Sequence, residues 1–166
     1  MGNRTIDDIT EKFKATAQTH LDSLPLAERI ADAADLMVRC LHDGGKILIF
    51  GNGGSAAEAQ HASAELVSKF RRERRPLPAL ALTVDTSILT AIANDGDYAD
   101  VFKKQIEALC NPNDVVVAMT TSDVSGAHSA NIHRGILAAR EKGASIIGLL
   151  STRSVVLAPL VDVALQ

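Results

Sequence analysis

The sequence is poor in aromatic residues and cysteine, and it has no long hydrophobic stretch. It contains no Trp, one Tyr and two Cys among 166 residues. Two cysteines, Cys40 and Cys110, do not make a disulfide framework, and they favour a reducing compartment. No apolar run approaches the roughly 20 residues of a membrane span, and the N-terminus lacks the apolar stretch of a signal peptide. We therefore expect a cytoplasmic protein with no membrane partner.

A large excess of charge of either sign is also missing. The net charge is -3, from 17 basic and 20 acidic residues. Nucleic-acid-binding domains are usually basic, so we expect no direct nucleic-acid partner. Because only 3% of the residues are aromatic, the core has to consist of Ala, Leu, Ile and Val, which bury little area each. Contacts between subunits would add stability, which makes a homo-oligomer a hypothesis.

Hydrophobic patterns divide the chain into an N-terminal helical segment, residues 1–45, and an α/β core, residues 46–166. Apolar residues at helical spacing predict two helices in the first segment, at about 5–24 and 26–41. In the core, short apolar runs typical of buried parallel strands alternate with helical patterns. The predicted strands are 47–50, 79–82, 115–119, 146–150 and 161–165, and the predicted helices are 55–71, 86–94, 98–109 and 129–142. The alternation predicts one α/β domain with a doubly wound, five-stranded parallel sheet.

Polar residues cluster where three of the predicted strands end, at residues 51–55, 83–87 and 120–129. Ligands of doubly wound sheets bind outside the carboxyl ends of the strands. We therefore expect the functional site at this edge. In the third cluster, hydroxyl groups favour an anionic or polyol ligand, whereas Asp123 argues against phosphate because a carboxylate repels it.

The first polar cluster, GNGGS at residues 51–55, is a glycine-rich loop. Ser55 and Glu58 have the spacing of a capping box, which predicts a helix that begins at Ser55. The free N–H groups of a helix N-terminus bind anions such as phosphate. Two other interpretations remain open. One is a plain glycine turn, and the other is a dinucleotide fingerprint, for which Asp85 lies about 30 positions on rather than about 20.

The helix after this loop carries His61 and Glu65 four residues apart, and therefore on one face. Such a pair can bind a divalent metal or supply a carboxylate as a general base. An isolated pair of this kind is also common as solvent-facing polar surface. Its place two to three turns beyond the predicted phosphate site favours a role with a sugar-sized ligand. The basic run at residues 71–75 is interpreted as a solvated helix end.

Several stretches of the sequence resemble the phosphoheptose isomerase family. They are residues 51–61, 64–66, 82–83 and 85–95, within a similarity that covers about residues 26–165. The family has the sugar-isomerase (SIS) fold, which is flavodoxin-like, and converts sedoheptulose 7-phosphate to glycero-manno-heptose 7-phosphate. The resemblance implies an isomerase of this substrate. It also implies a homotetramer with active sites between subunits, and a zinc ion as in some members.

The resemblance further implies roles for individual residues. Glu65 would be the base that moves a proton between C1 and C2 of the sugar through an enediolate, and it would bind zinc together with His61. Besides Glu65, the substrate-binding residues would be Asn52, Gly53, Gly54, Ser55, Asn94, Asp95, Thr120, Thr121, Ser122 and Ser129.

The sequence departs from the family at two places. The family's loop Ser-Thr-Ser-Gly-Asn-Ser corresponds to residues 120–125, where a match without a gap ends at Ser125. A match of the following helix instead makes Ser129 the capping serine, and this helix position favours Ser129. The family's C-terminal helix, whose Gln and His complete the zinc site, has no counterpart before Gln166. We therefore expect an incomplete zinc site. The alternative to an isomerase is a non-catalytic module that binds a sugar phosphate or a protein, for example one that associates with a replication initiator.

Overall fold

The computed structural model describes residues 2–166, with the side chains from residue 5 onward. The N-terminal segment contains α1 (Gly2–Asp22), a 3-10 turn at Leu24–Leu26 and α2 (Ala27–His42). The strands of the core are β1 (Ile47–Gly51), β2 (Ala79–Ala81), β3 (Val115–Thr120), β4 (Ser145–Leu150) and β5 (Val163–Leu165). The helices between them are α3 (Gly54–Val67), α4 (Thr86–Asp95), α5 (Val101–Leu109) and α6 (Ala130–Glu141).

The five strands form one parallel sheet in the order β2-β1-β3-β4-β5. This is the flavodoxin-like order, which differs from the 3-2-1-4-5-6 order typical of dinucleotide-binding domains. Asp85, the acidic residue considered for a dinucleotide, instead accepts a hydrogen bond from the Ile88 N–H at 2.9 Å and caps α4. The predicted fold class, a doubly wound, five-stranded parallel α/β sheet, is confirmed.

Strand β1 is buried along its whole length because helices cover both faces of the sheet. On the face covered by α5 and α6, the rings of Phe50 and Phe102 stack with their centroids 4.8 Å apart. Gly135 of α6 lies against this pair, and a Cβ atom there would approach the Phe50 ring to 2.9 Å. Cys40 and Cys110 are buried free thiols, and burial raises the pKa of both.

The first helix exposes an apolar stripe. The large apolar side chains of this stripe are between 48% and 73% exposed. They are Ile6, Ile9, Phe13 and Leu21, and Leu24 of the following 3-10 turn extends the stripe. Exposed apolar patches of this kind mark interaction surfaces. Within residues 2–166, no helix combines the length and the apolar character needed to cross a membrane.

Two local predictions about α3 are wrong. The predicted capping box does not form, because α3 begins at Gly54 and its N-cap residue is Gly53, at a φ of +54° and without a side-chain capping bond. A positive φ suits glycine, so the N-cap position is two residues earlier than in the predicted capping box. The helix also ends at Val67, so the basic run at residues 71–75 lies in the following loop rather than at a helix end.

Candidate active site at the carboxyl edge of the sheet

The glycine-rich loop folds back closely over the end of β1. A Cβ atom on Gly51 would lie 2.6 Å from the Ser55 Cβ and 2.9 Å from the Met119 carbonyl oxygen, so this position requires glycine. The first N–H group that bonds back to the loop is that of Ala56, which donates to the carbonyls of residues 52 and 53. The N–H groups of Gly54 and Ser55 come before it and are available to an anion, as at other helix N-termini.

A cavity of about 490 Å³, which we call the Ser55 cavity, opens beside this helix start. Its polar lining includes Ser55, Thr120, Thr121 and Ser151, and its apolar lining comes from α2, β4 and β5. The Thr120 hydroxyl accepts a hydrogen bond from the Ser122 N–H at 3.1 Å, which curls the loop after β3. The structure therefore brings three of the predicted substrate residues together in one cavity, with Ser122 directly behind them.

A second cavity, of about 410 Å³, is lined by Asn52, Ser129 and Asn131. Asn52 and the buried Asn131 exchange two amide hydrogen bonds of 2.9 and 2.8 Å in its lining. Ser129 has the N-cap position of α6, as predicted, but it has a φ of +56° and no side-chain capping bond. Ser55 and Ser129 thus line different cavities, and the two helix starts are joined by the amide pair. Sequence reasoning assigned no structural role to Asn131.

His61 and Glu65 lie side by side on α3, as their spacing predicts. The His61 Nε2 and Glu65 Oε1 atoms are 3.3 Å apart, and the two side chains are 69% and 35% exposed. Both donor types suit zinc, but a catalytic zinc normally has three protein ligands. Residues 2–166 contain no group of three or more His, Cys, Asp or Glu side chains that could hold a metal ion. The pair by itself therefore does not fit a complete zinc site.

Asn94 and Asp95 lie away from the two cavities in the single chain. They occupy the last two positions of α4, and the Asn94 Nδ2 donates to the Asp95 Oδ1 at 2.8 Å. Because α4 starts at the carboxyl edge of the sheet, a helical rise of 1.5 Å per residue places them about 12 Å further along its axis. Neither lines the cavities beside Ser55 and Ser129.

Asp123 is turned toward the loop between β4 and β5. Its Oδ2 accepts a hydrogen bond from the Val156 N–H at 2.9 Å, and its Oδ1 is shielded from solvent without a partner within residues 2–166. Partial burial raises the pKa of Asp123, but the N–H groups of Val124 and of residues 155–157 outweigh this effect, so its pKa lies below the ordinary value. The expected repulsion of phosphate does not follow from this arrangement, because Asp123 lines neither cavity.

Comparisons with known proteins confirm the resemblance that the motifs carry. The SIS domain family model matches residues 10–151. The phosphoheptose isomerase of Aquifex aeolicus is 48% identical over 143 residues, which are 86% of this chain and 73% of that protein. The phosphoheptose isomerase of Geobacter sulfurreducens is 48% identical over 162 residues, which are 96% and 83% of the two chains.

The fold also matches that of a solved phosphoheptose isomerase structure. The phosphoheptose isomerase GmhA from Neisseria gonorrhoeae superposes with a TM-score of 0.87 at 37% identity, and the match covers 97% of this chain and 84% of that one. Family model, sequence identity and fold thus agree over most of the chain. The chain belongs to the phosphoheptose isomerase family of SIS-domain proteins.

Proposed function

We propose that this protein is an isomerase that interconverts sedoheptulose 7-phosphate and glycero-manno-heptose 7-phosphate. The observation that carries the proposal is that one helix, α3, offers free N–H groups at its start and the Glu65 carboxylate near its end. The relatives at 48% identity are named phosphoheptose isomerases, which supports this choice of substrate.

The spacing along α3 suits a substrate of this length. Ser55 and Glu65 are ten residues apart, which corresponds to about 15 Å of helical rise. Because the Cα–Cβ bonds of a helix tilt toward its N-terminus, the Glu65 side chain starts out in the direction of the phosphate-binding end. An extended seven-carbon sugar phosphate spans roughly 10 Å, with bonds of about 1.5 Å. A phosphate held at the start of α3 therefore allows the C1 end of the sugar to reach Glu65.

The proposed reaction moves one proton between neighbouring carbon atoms. The Glu65 carboxylate removes a proton from C1 of the ketose, and the electron pair of the C–H bond forms the C1–C2 double bond of an enediolate. As the double bond forms, the electron pair of the C2 carbonyl π bond moves onto O2. The protonated Glu65 then returns the proton to C2, the O1–H bond breaks to give the C1 aldehyde, and the O1 proton is transferred to O2, so the product is an isomer with no net gain or loss of protons. Such a positioned base typically contributes 10²–10⁴-fold to the rate.

Glu65→Gln tests this role because the amide cannot accept the proton. We expect its kcat for sedoheptulose 7-phosphate to fall by about 100-fold or more, measured by NMR of the sugars. Glu58→Gln is the matched control, since Glu58 is an exposed carboxylate on the same helix, and its kcat should stay within about twofold. In D₂O the wild-type product should carry deuterium at C2, to the extent that the proton held by Glu65 exchanges with solvent before it is returned. Turnover by Glu65→Gln within tenfold of wild type would contradict the assigned role.

A non-catalytic sugar-phosphate-binding module is the second candidate. The observation that favours it is the pair His61 and Glu65, which supplies two of the three ligands of a catalytic zinc site. The same protein preparation separates the two functions. A higher melting temperature with sedoheptulose 7-phosphate, but without turnover or deuterium exchange, would favour the module.

We propose zinc only as an ion that His61 and Glu65 would bind as ligands, and no step of the reaction above depends on it. The two side chains would contribute an imidazole nitrogen and a carboxylate oxygen from one helix face. A bound zinc ion would polarise the oxygen atoms of the substrate as a Lewis acid.

We also propose a homo-oligomer, a tetramer as in the family, in which α1 contacts another copy of the chain. The exposed apolar stripe of α1, with Phe13 73% and Ile6 63% exposed, supports a second copy as the partner. Asn94 and Asp95 lie away from the Ser55 cavity of their own chain. If sites are shared between subunits, these two residues would lie near the sugar bound to a neighbouring chain.

A further inference from the structure

The loop between α3 and β2 holds the C-terminal end of helix α3. The last carbonyl groups of a helix have no partner within it and must be satisfied from outside. Here Arg74 Nη2 donates to the Glu65 carbonyl oxygen at 2.6 Å, and Arg74 Nη1 donates to the Ser68 carbonyl at 3.3 Å. The Leu77 N–H donates to the Leu66 carbonyl at 3.1 Å. The loop thus supplies partners for the end of the helix that carries Glu65.

Arg74 takes the place of the usual ways of ending a helix. The C-cap residue of α3 is Ser68 at a φ of -85°, so there is no left-handed glycine, and the last turn of the helix contains no basic residue. A guanidinium group next to the C-terminus satisfies the carbonyl groups and also interacts favourably with the helix dipole. Arg74 makes both contributions from a position seven residues beyond the end of the helix.

The other arginines of the same basic run differ from Arg74. Arg71, Arg72 and Arg75 are exposed, whereas Arg74 is half-buried. Arg71 lies over the Phe70 ring at 5.2 Å. Within residues 5–166, Arg74 donates three side-chain hydrogen bonds, whereas the side chains of Arg71, Arg72 and Arg75 donate none. Glu73, the acidic member of the run, accepts from Lys69. One member of the run is therefore built into the fold, and its neighbours serve as controls.

We infer that Arg74 is a positioning residue for Glu65, an inference that rests on the proposed function of Glu65 as the base. The guanidinium bonds to the carbonyl oxygen of the residue whose side chain carries the carboxylate. Removing it leaves the last turn of α3 free to fray, and the carboxylate then loses its fixed place relative to C1 of the sugar. The phosphate-binding end of α3 lies about 15 Å away and should not change.

Arg74→Gln tests the inference, because a loss of positioning should lower kcat and leave KM nearly unchanged. Because small displacements of a reacting group are costly, we expect kcat to fall by about tenfold or more while KM stays within about twofold. Arg74→Lys keeps the charge but not the forked geometry, and it should recover only part of the loss. Full recovery by lysine, or an unchanged kcat in Arg74→Gln, would overturn the positioning role.

Two control variants separate positioning from general loss of charge or stability. Arg72→Gln removes an exposed charge from the same run. Arg140→Gln removes an arginine that donates to the Leu160 carbonyl at 2.9 Å, the same kind of contact far from α3. Both controls should retain kcat and KM within about twofold. A loss in Arg140→Gln equal to that in Arg74→Gln would contradict the inference, because any arginine–carbonyl contact would then suffice.

Hydrogen exchange gives a readout that does not need activity. We expect the amides of Leu66, Val67 and Ser68 to exchange about tenfold faster in Arg74→Gln than in wild type, and at the wild-type rate in Arg72→Gln. Unchanged exchange in Arg74→Gln would overturn the inference whether or not the wild-type protein turns over the substrate. No turnover by wild type, together with faster exchange in Arg74→Gln, would count against the proposed function while keeping Arg74 as the residue that ends α3.

Discussion

Asp123 joins two loops at the carboxyl edge of the sheet through a single carboxylate. It follows the hydroxyl residues Thr120 and Thr121 of the Ser55 cavity, and it accepts the N–H of Val156 in the loop after β4. Because Ser151 at the start of that second loop also lines the cavity, Asp123 connects the two loops that supply part of its lining. An acidic residue in a predicted phosphate loop is therefore used for structure, with its carboxylate directed at the loop after β4.

The lowered pKa of Asp123 predicts an acid-dependent contribution to stability. A carboxylate whose pKa is lower in the folded state stabilises the protein above its unfolded pKa of about 3.9, and this stabilisation is lost as the pH falls toward the folded value. Asp123→Asn mimics the protonated form. We expect it to melt below wild type at pH 7, and the difference to shrink as the pH falls below about 4, measured by differential scanning calorimetry. A difference in melting temperature that stays constant from pH 7 to pH 3 would contradict this expectation.

At the scale of the elements, the contact between helix α6 and strand β1 depends on the absence of a side chain at Gly135. A Cβ atom there would lie 2.9 Å from the Phe50 ring and 3.1 Å from the Phe102 Cβ. Both phenylalanines are buried and stacked, so neither can move aside easily. The small residue therefore sets how closely α6 approaches the sheet.

Gly135→Ala should change the free energy of unfolding through two opposite effects, helix propensity and core overpacking. Alanine in a helix interior is favoured over glycine by about 1 kcal/mol, whereas overpacking a core costs about 1–3 kcal/mol. Because the contact is with a buried ring, we expect overpacking to dominate and the free energy of unfolding to fall by about 1 kcal/mol. Urea denaturation measures this change. A variant at least as stable as wild type would show that α6 can shift to accommodate the methyl group.

The elements were predictable where hydrophobic runs are long and continuous. The apolar runs of β1 and β3 are buried in the centre of the sheet, and their bounds agree with the prediction to within one residue. Residues that act through single contacts were not predictable. Ser55 and Glu58 match a capping box, but the backbone of Gly53 makes the turn instead. Arg74 could not be distinguished from the other arginines of its run, because only the folded loop brings it to the Glu65 carbonyl. The pairing of Asn131 with Asn52 joins residues 79 positions apart, which no local pattern records.

At the scale of the whole molecule, the apolar stripe of α1 makes the proposed assembly testable. Phe13→Glu places a charge in the middle of the stripe, where burial against a second copy would be costly. We expect wild type to elute as an oligomer of the 17.6 kDa chain and Phe13→Glu to shift to smaller species, measured by light scattering after size exclusion. Ala15→Glu adds the same charge on the opposite side of α1 and should leave the assembly unchanged. A monomeric wild type would contradict the proposal.

The all-parallel sheet has a consequence for how the newly made chain folds. Neighbouring parallel strands cannot form hairpins, and each pair needs a long crossover. Ile47 of β1 pairs with Val115 of β3 about 70 residues later. During synthesis, the four apolar side chains of β1 therefore leave the ribosome long before β3, their partner in the centre of the sheet, has been made. We expect folding to be slow for a domain of this size, and the half-made chain to need protection from aggregation until β3 emerges.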